Sequence, residues 1–163
     1  EIFQKYPNMR HLIEIKDTNK PELYEDIIQE LWRLIQEYNM EDNVMVGSFD
    51  HSINERFEEV TWGKIPIGAG EDAVRDFATK HVAFLNGLAK SSVDSLQLPT
   101  ESDGFDLTTK NMIESAKKRN MSVYYWTIND KDTMRSLINK NVDGIMSDYP
   151  DLLIEVLKEK NLR

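Results

Sequence analysis

Apolar positions along this chain come in two alternating rhythms. Short runs of three to seven residues, rich in Ile, Val and Leu, predict strands. Longer stretches with apolar residues every three or four positions predict helices between them. Residues 1–6 predict the last turns of a helix stopped at Pro7, and Arg10–Ile15 a strand. Lys20-Pro21 opens a long helix whose stripe is Tyr24, Ile27, Ile28, Leu31, Leu34, Ile35 and Tyr38, ended by Asn39. Val44–Ser48 predicts a strand, and Ser52 the N-cap of a helix to Val60. A short strand at Ile65-Pro66-Ile67 follows, then a helix from Glu71 to Leu88 with Ala73, Val74, Phe77, Val82 and Leu85 among its apolar positions. Val93–Leu98 is a fifth strand, closed by Pro99. A helix over Thr108–Arg119 ends at Asn120, a residue suited to a left-handed turn. The last elements are a strand over Ser122–Ile128, a helix over Lys131–Asn139, a strand over Gly144–Ser147 and a helix over Leu152–Lys160.

Strand and helix alternate about six times, which predicts parallel strands joined by helical crossovers. That rhythm suits a barrel or a doubly wound sheet. No linker, low-complexity tract or internal boundary interrupts it, so residues 1–163 are expected to form part of a single domain.

Composition narrows the function classes. The net charge of −9 makes nucleic acid and anionic membrane surfaces poor partners. The absence of cysteine removes thiolate zinc sites, disulfides and thiol catalysis, but fixes no compartment, cytoplasmic or extracytoplasmic. No segment reaches the ~18 apolar residues of a membrane span, which suggests a soluble protein. Glu1 is not Met and sits inside an apparent helix, so the natural start is expected upstream.

Three strand ends carry candidate chemistry. In Leu12-Ile13-Glu14-Ile15-Lys16, alternation puts Ile13 and Ile15 on one face and Leu12, Glu14 and Lys16 on the other. In a barrel the second face is interior, and the C-terminal strand end is where catalytic groups stand. A carboxylate there needs a cation, from a metal or from Lys16 itself; a structural ion pair is the plainer alternative. The second is Tyr124-Tyr125-Trp126-Thr127-Ile128-Asn129, where Trp126 lines a pocket or fills the core and Asn129 is placed to cap the next helix. The third is Asp143-Gly144-Ile145-Met146-Ser147-Asp148-Tyr149-Pro150, an apolar strand ending in Ser-Asp before a Pro-initiated turn. The run Gly68-Ala69-Gly70-Glu71-Asp72-Ala73 imitates a dinucleotide fingerprint. Its Glu71 and Asp72 would repel a pyrophosphate, so it predicts a turn into a helix with an acidic start.

Taken in order, I-E-I-K, S-F-D, D-S-L-Q-L-P, W-T-I-N and D-G-I-M-S-D-Y-P-D resemble the successive strand ends of the glycerophosphodiester phosphodiesterase family, over nearly the whole chain. The resemblance implies an α/β fold, a partial (β/α)8 TIM barrel of about six βα units lacking its first strands. It implies metal-dependent hydrolysis of a small-molecule phosphodiester to glycerol 3-phosphate and an alcohol, with Ca2+ or Mg2+ as cofactor. Glu14 matches the metal ligand of its strand, Lys16 a lysine near the phosphate, and Trp126 an aromatic on the glycerol end. The resemblance also implies that Ser48-Phe49 and Gln97 sit at strand ends facing the same cleft. The family's His-Arg-Gly, Glu-x-Asp and His-Asp motifs are absent, and His11, His51 and His81 do not match them. The resemblance therefore implies a C-terminal portion, inactive alone, whose partner is its own N-terminal segment or a second copy. A non-catalytic binding protein built from the same barrel, or an unrelated doubly wound module, are the alternatives.

Overall fold

The computed structural model describes residues 1–82, 93–102 and 104–163. The expected helix positions Leu85 and Leu88 lie outside them, as does the Val82 side chain. Six βα units run through the described residues, all with parallel strand pairing. They divide into two compact units, one built on Glu1–Arg75 with Asp94 joined to it, the other beginning at Asp76 and including Ser95–Arg163.

In the first unit, α1 (Ile2–Lys5) precedes β1 (His11–Glu14). A turn of 3-10 helix at Pro21–Leu23 leads into α2 (Tyr24–Glu37), because proline at the first turn forfeits only an N–H that has no helical partner. β2 (Val44–Gly47) pairs with β1, His11 opposite Val44 and Glu14 opposite Gly47. α3 (His51–Thr61) follows. The expected strand at Ile65–Ile67 shrinks to a single bridge, Val46 to Ile67. Pro66 has no N–H for a ladder, and the N–H of Ile67 goes to Asp94 Oδ2 at 2.9 Å. α4 (Glu71–Val82) then opens on two acidic residues, as expected from its turn sequence. The expected stripe of α2 supplies Ile28 and Ile35 to a core with Ile15, Val46, Ile53, Phe57 and Ile67.

In the second unit β6 (Ser122–Tyr125) lies between β3 (Ser95–Leu98) and β7 (Gly144–Ile145). The helices are α5 (Lys110–Lys117), α6 (Lys131–Asn139) and α7 (Pro150–Glu159). One sheet face buries Leu96, Leu98, Val123 and Tyr125. The other carries the row Gln97, Tyr124 and Gly144, in register. A Cβ on Gly144 would stand 2.4 Å from the Tyr124 ring, so glycine there lets that ring lie on the neighbouring strand. Unforeseen in the sequence is a hairpin, β4 (Glu101–Ser102) with β5 (Phe105–Asp106), between β3 and α5. The buried Tyr125 hydroxyl donates to Leu107 O at its base, at 2.6 Å.

Two caps differ from expectation. Asp50, not Ser52, caps α3: its carboxylate accepts from Ser52 N at 2.9 Å. Asp130, not Asn129, caps α6, accepting from Thr133 N at 2.8 Å. In each pair the residue with extended backbone just before the helix holds the geometry a cap requires.

Candidate functional site

Parallel strands bring their C-terminal ends to one side of a sheet, so each unit has its own rim of strand ends. In the first unit the rim holds Glu14 and Lys16. Ile15 is buried and its N–H continues the ladder to Gly47 O at 2.9 Å, which turns Glu14 and Lys16 to the same, opposite face. Lys16 Nζ donates to Glu14 Oε2 at 2.6 Å. The side chains are 60% and 37% exposed, and Glu14 faces Gly47 in register, so β2 puts no side chain beside the pair there. Such an exposed pair contributes little stability. It does place one cation and one carboxylate where a ligand can reach both.

The next strand end, Ser48-Phe49-Asp50, is locked from behind by Gly70. A Cβ on Gly70 would meet His51 N at 2.7 Å and Phe49 O at 2.8 Å. Glu71 N donates to Phe49 O at 2.8 Å. Asn54, fully buried, donates to Ser48 O at 2.8 Å. The Ser48 Oγ and His51 Nδ1 atoms are buried without a protein hydrogen bond. His51 is the first residue of α3, with Nε2 3.9 Å from Glu55. His11 lies edge-on to Phe3, and His81 lies along α4 against Phe77, where burial pushes its pKa down.

In the second unit the ladder of β6 ends at Tyr125, three residues short of the expected strand. Trp126 N still donates to Leu98 O at 3.0 Å, and Ile128 N to Met146 O at 2.9 Å. Trp126 is half-buried just past the strand end. Asn129 then reaches across to the segment after β7. Its Nδ2 donates to Asp148 Oδ2 at 2.9 Å, while its Oδ1 accepts from Asp148 N at 3.0 Å and Ser147 Oγ at 3.2 Å. Tyr149 N donates to Ser147 Oγ at 3.0 Å. The structure thus brings Glu14 together with Lys16, and joins W-T-I-N to S-D-Y-P through Asn129. Trp126 belongs to the other unit. Gln97 lies on the same face as Tyr124, its Nε2 buried without a protein partner.

Sequence reasoning missed two further groups. Asp94 and Asp143 each precede a strand and clip the neighbouring backbone. Asp94 N donates to Ile67 O at 3.0 Å and Asp143 N to Val123 O at 2.9 Å; each carboxylate accepts that residue's N–H at 2.9 Å. The signal was present as Val-Asp-small, at Val93-Asp94-Ser95 and Val142-Asp143-Gly144.

Whether these residues fit a resident divalent ion is decided by the donors at hand. Among the described residues no three His, Asp or Glu side chains gather to hold one. Glu14 is engaged with Lys16. One carboxylate falls short of the ~6–8 oxygens of a Ca2+ site. No described helix is long and apolar enough to cross a membrane.

The sequence model of the glycerophosphoryl diester phosphodiesterase family matches residues 1–152. The chain is 26% identical over 160 residues to a "Probable glycerophosphodiester phosphodiesterase 2" of Mycobacterium tuberculosis, covering 96% of this chain and 58% of that protein. A solved glycerophosphodiester phosphodiesterase of Parabacteroides distasonis superposes with a TM-score of 0.73 at 18% identity, over 97% of this chain and 61% of that one. An Oleispira antarctica phosphodiesterase, solved with the product sn-glycerol-3-phosphate, gives 0.63 at 18% identity, over 89% of this chain and 54% of that one. The chain therefore spans about three fifths of the relatives it matches. The fold is that of the TIM-barrel phosphodiesterases in part: six βα units, with no closed barrel among the described residues.

Proposed function

The chain belongs to the glycerophosphoryl diester phosphodiesterase family, and from that premise we propose that the whole protein hydrolyses glycerophosphodiesters to glycerol 3-phosphate and an alcohol. The family match across residues 1–152 carries this reading. The exposed Glu14–Lys16 pair at the end of β1 supports it at the level of residues. So does a relative of the same fold that holds sn-glycerol-3-phosphate as product.

Within this reading the chain's residues hold the substrate. In the whole protein the Lys16 ammonium would meet the diester phosphate, and the Trp126 ring would pack on the glycerol carbons. Water adds to phosphorus, the bond to the alcohol oxygen breaks, and that oxygen takes up a proton. Glu14 is offered as one oxygen ligand to a divalent cation, Ca2+ or Mg2+. By itself it is not a metal site.

No histidine of this chain is assigned the acid or base role. The chain alone is accordingly proposed to be inactive, and to gain activity on joining its own N-terminal segment, with self-association as the competing fate. A non-catalytic binding protein is the second reading.

The test is an assay on glycerophosphocholine with Mg2+ or Ca2+, with and without a separately made N-terminal segment. Turnover is expected only when both are present. In that active assembly Trp126→Ala should raise KM about tenfold while Tm holds, the loss of one aromatic contact. Activity of the chain alone that survives Glu14→Gln would overturn the reading, with His51 the first residue to mutate. Inactivity of the joined protein, with retained binding of glycerophosphocholine, would favour the binding protein.

A further inference from the structure

Asn129 stands where a helix cap is expected, yet Asp130 caps α6. Its amide instead serves a segment nineteen positions away, at Ser147–Asp148. The chemistry of that contact selects an amide. The backbone N–H of Asp148 can only donate, so an acceptor, Oδ1, must face it. The Asp148 carboxylate accepts, so a donor, Nδ2, must face that. One short planar group with an acceptor on one side and a donor on the other meets both demands, and an aspartate at 129 meets only the first. Ser147 Oγ extends the link, donating to Asn129 Oδ1 and accepting from Tyr149 N.

The residues so joined follow β6 and β7, adjacent parallel strands, at the ends that carry chemistry in barrel enzymes. Asn129 and Asp148 are exposed, and hydrogen bonds made in water contribute little net stability. What the contact supplies is a fixed spacing between the segment carrying Trp126 and the segment carrying Tyr149.

We infer that Asn129 is a positioning residue, which holds the Ser147–Tyr149 segment against the Trp126–Asn129 segment and so sets the substrate rim of this unit. The inference rests on the proposed role of Trp126 at the substrate. Asn129→Asp turns the donor into a second carboxylate facing Asp148. Adding Asp148→Asn moves the amide to the other side and restores a donor and an acceptor.

Two measurements test this. In this chain, backbone amide exchange at Asp148 and Tyr149 should speed up about tenfold in N129D and return to about the wild-type rate in the N129D/D148N pair. In the complete enzyme, N129D should raise KM for glycerophosphocholine about fivefold to tenfold with kcat within about twofold, and the pair should restore KM. Unchanged exchange in N129D, no rescue by the pair, or released exchange with KM unmoved would each overturn the inference. A wild-type enzyme without diesterase activity would overturn the proposed function instead, and the exchange measurement would still decide whether Asn129 fixes the two segments.

Discussion

Two strand starts of this molecule are built alike, while its two units finish their strands differently. At the start, Asp94 ahead of β3 clips Ile67 and Asp143 ahead of β7 clips Val123, with the same two hydrogen bonds. At the finish, the first unit fixes its Ser48–His51 corner by close backbone approach at Gly70. The second fixes its rim by the Asn129 side chain. Close approach is rigid and intolerant of added atoms. Side-chain hydrogen bonds at an exposed rim can be retuned by substitution. Strand starts in barrels serve stability, and strand ends serve chemistry. The shared clip and the divergent ends fit that division.

The largest break in this comparison is expected at Gly70. Gly70→Ala puts a Cβ within 2.8 Å of backbone atoms that cannot turn aside. It should cost about 3 kcal/mol, the upper range for overpacking, read as a lowered urea midpoint. A loss below ~1 kcal/mol would mean that the corner yields.

Next come the clips. Asp94→Ala and Asp143→Ala each strip a backbone N–H of its acceptor, at about 2 kcal/mol apiece. Asp143 also pairs with Lys117 at 3.1 Å, so its replacement should cost at least as much. Asparagine at either site keeps an acceptor oxygen and should recover most of the loss in the same denaturation experiment. Equal loss for Ala and Asn would remove the clip as the cause.

A smaller effect of opposite sign is expected at Trp62. Of the five described non-glycine residues with positive φ, the other four are Asn39, Asn120, Asn141 and Asn161. Trp62 takes φ 59° and is 85% exposed, so it carries the left-handed strain without burial to offset it. Trp62→Asn should raise stability by about 1 kcal/mol, seen as a higher Tm. A fall in Tm would show that the ring makes a stabilising contact.

The smallest effect is in acid. The Arg56 guanidinium holds the Glu25 carboxyl down at about 2, below its ordinary 4.5. A lowered folded pKa stabilises above the unfolded value and is lost as pH falls from about 4.5 toward 2. In the second unit Arg135 lowers Glu159 in the same sense. The stability difference between wild type and Glu25→Gln should therefore shrink over that window. A difference independent of pH would assign it to something other than this charge.

Most of the fold was legible in the sequence because its causes are local. The stripe of α2 and the glycine-rich entry to α4 depend on neighbours within a turn or two, and so does Asn120 in its left-handed position. They came out as expected. Capping was harder. Asp50 and Ser52 are both good caps, as are Asn129 and Asp130, and the choice turns on which backbone is extended. The Ile65–Ile67 strand shrank because Pro66 cannot donate and a carboxylate took the N–H of Ile67.

Of the candidate site, the sequence by itself determined the Glu14–Lys16 pair, since alternation along one strand puts residues two apart on one face. It also marked W-T-I-N and S-D-Y-P as strand ends, each by itself. Only the tertiary structure decided what joins them. The bonds that matter there and at the clips link residues 19, 20 and 27 positions apart. Such contacts exist only once the fold brings segments distant in sequence side by side. No local propensity at Asn129, Asp94 or Asp143 distinguishes a cap or a turn residue from a tie between strands.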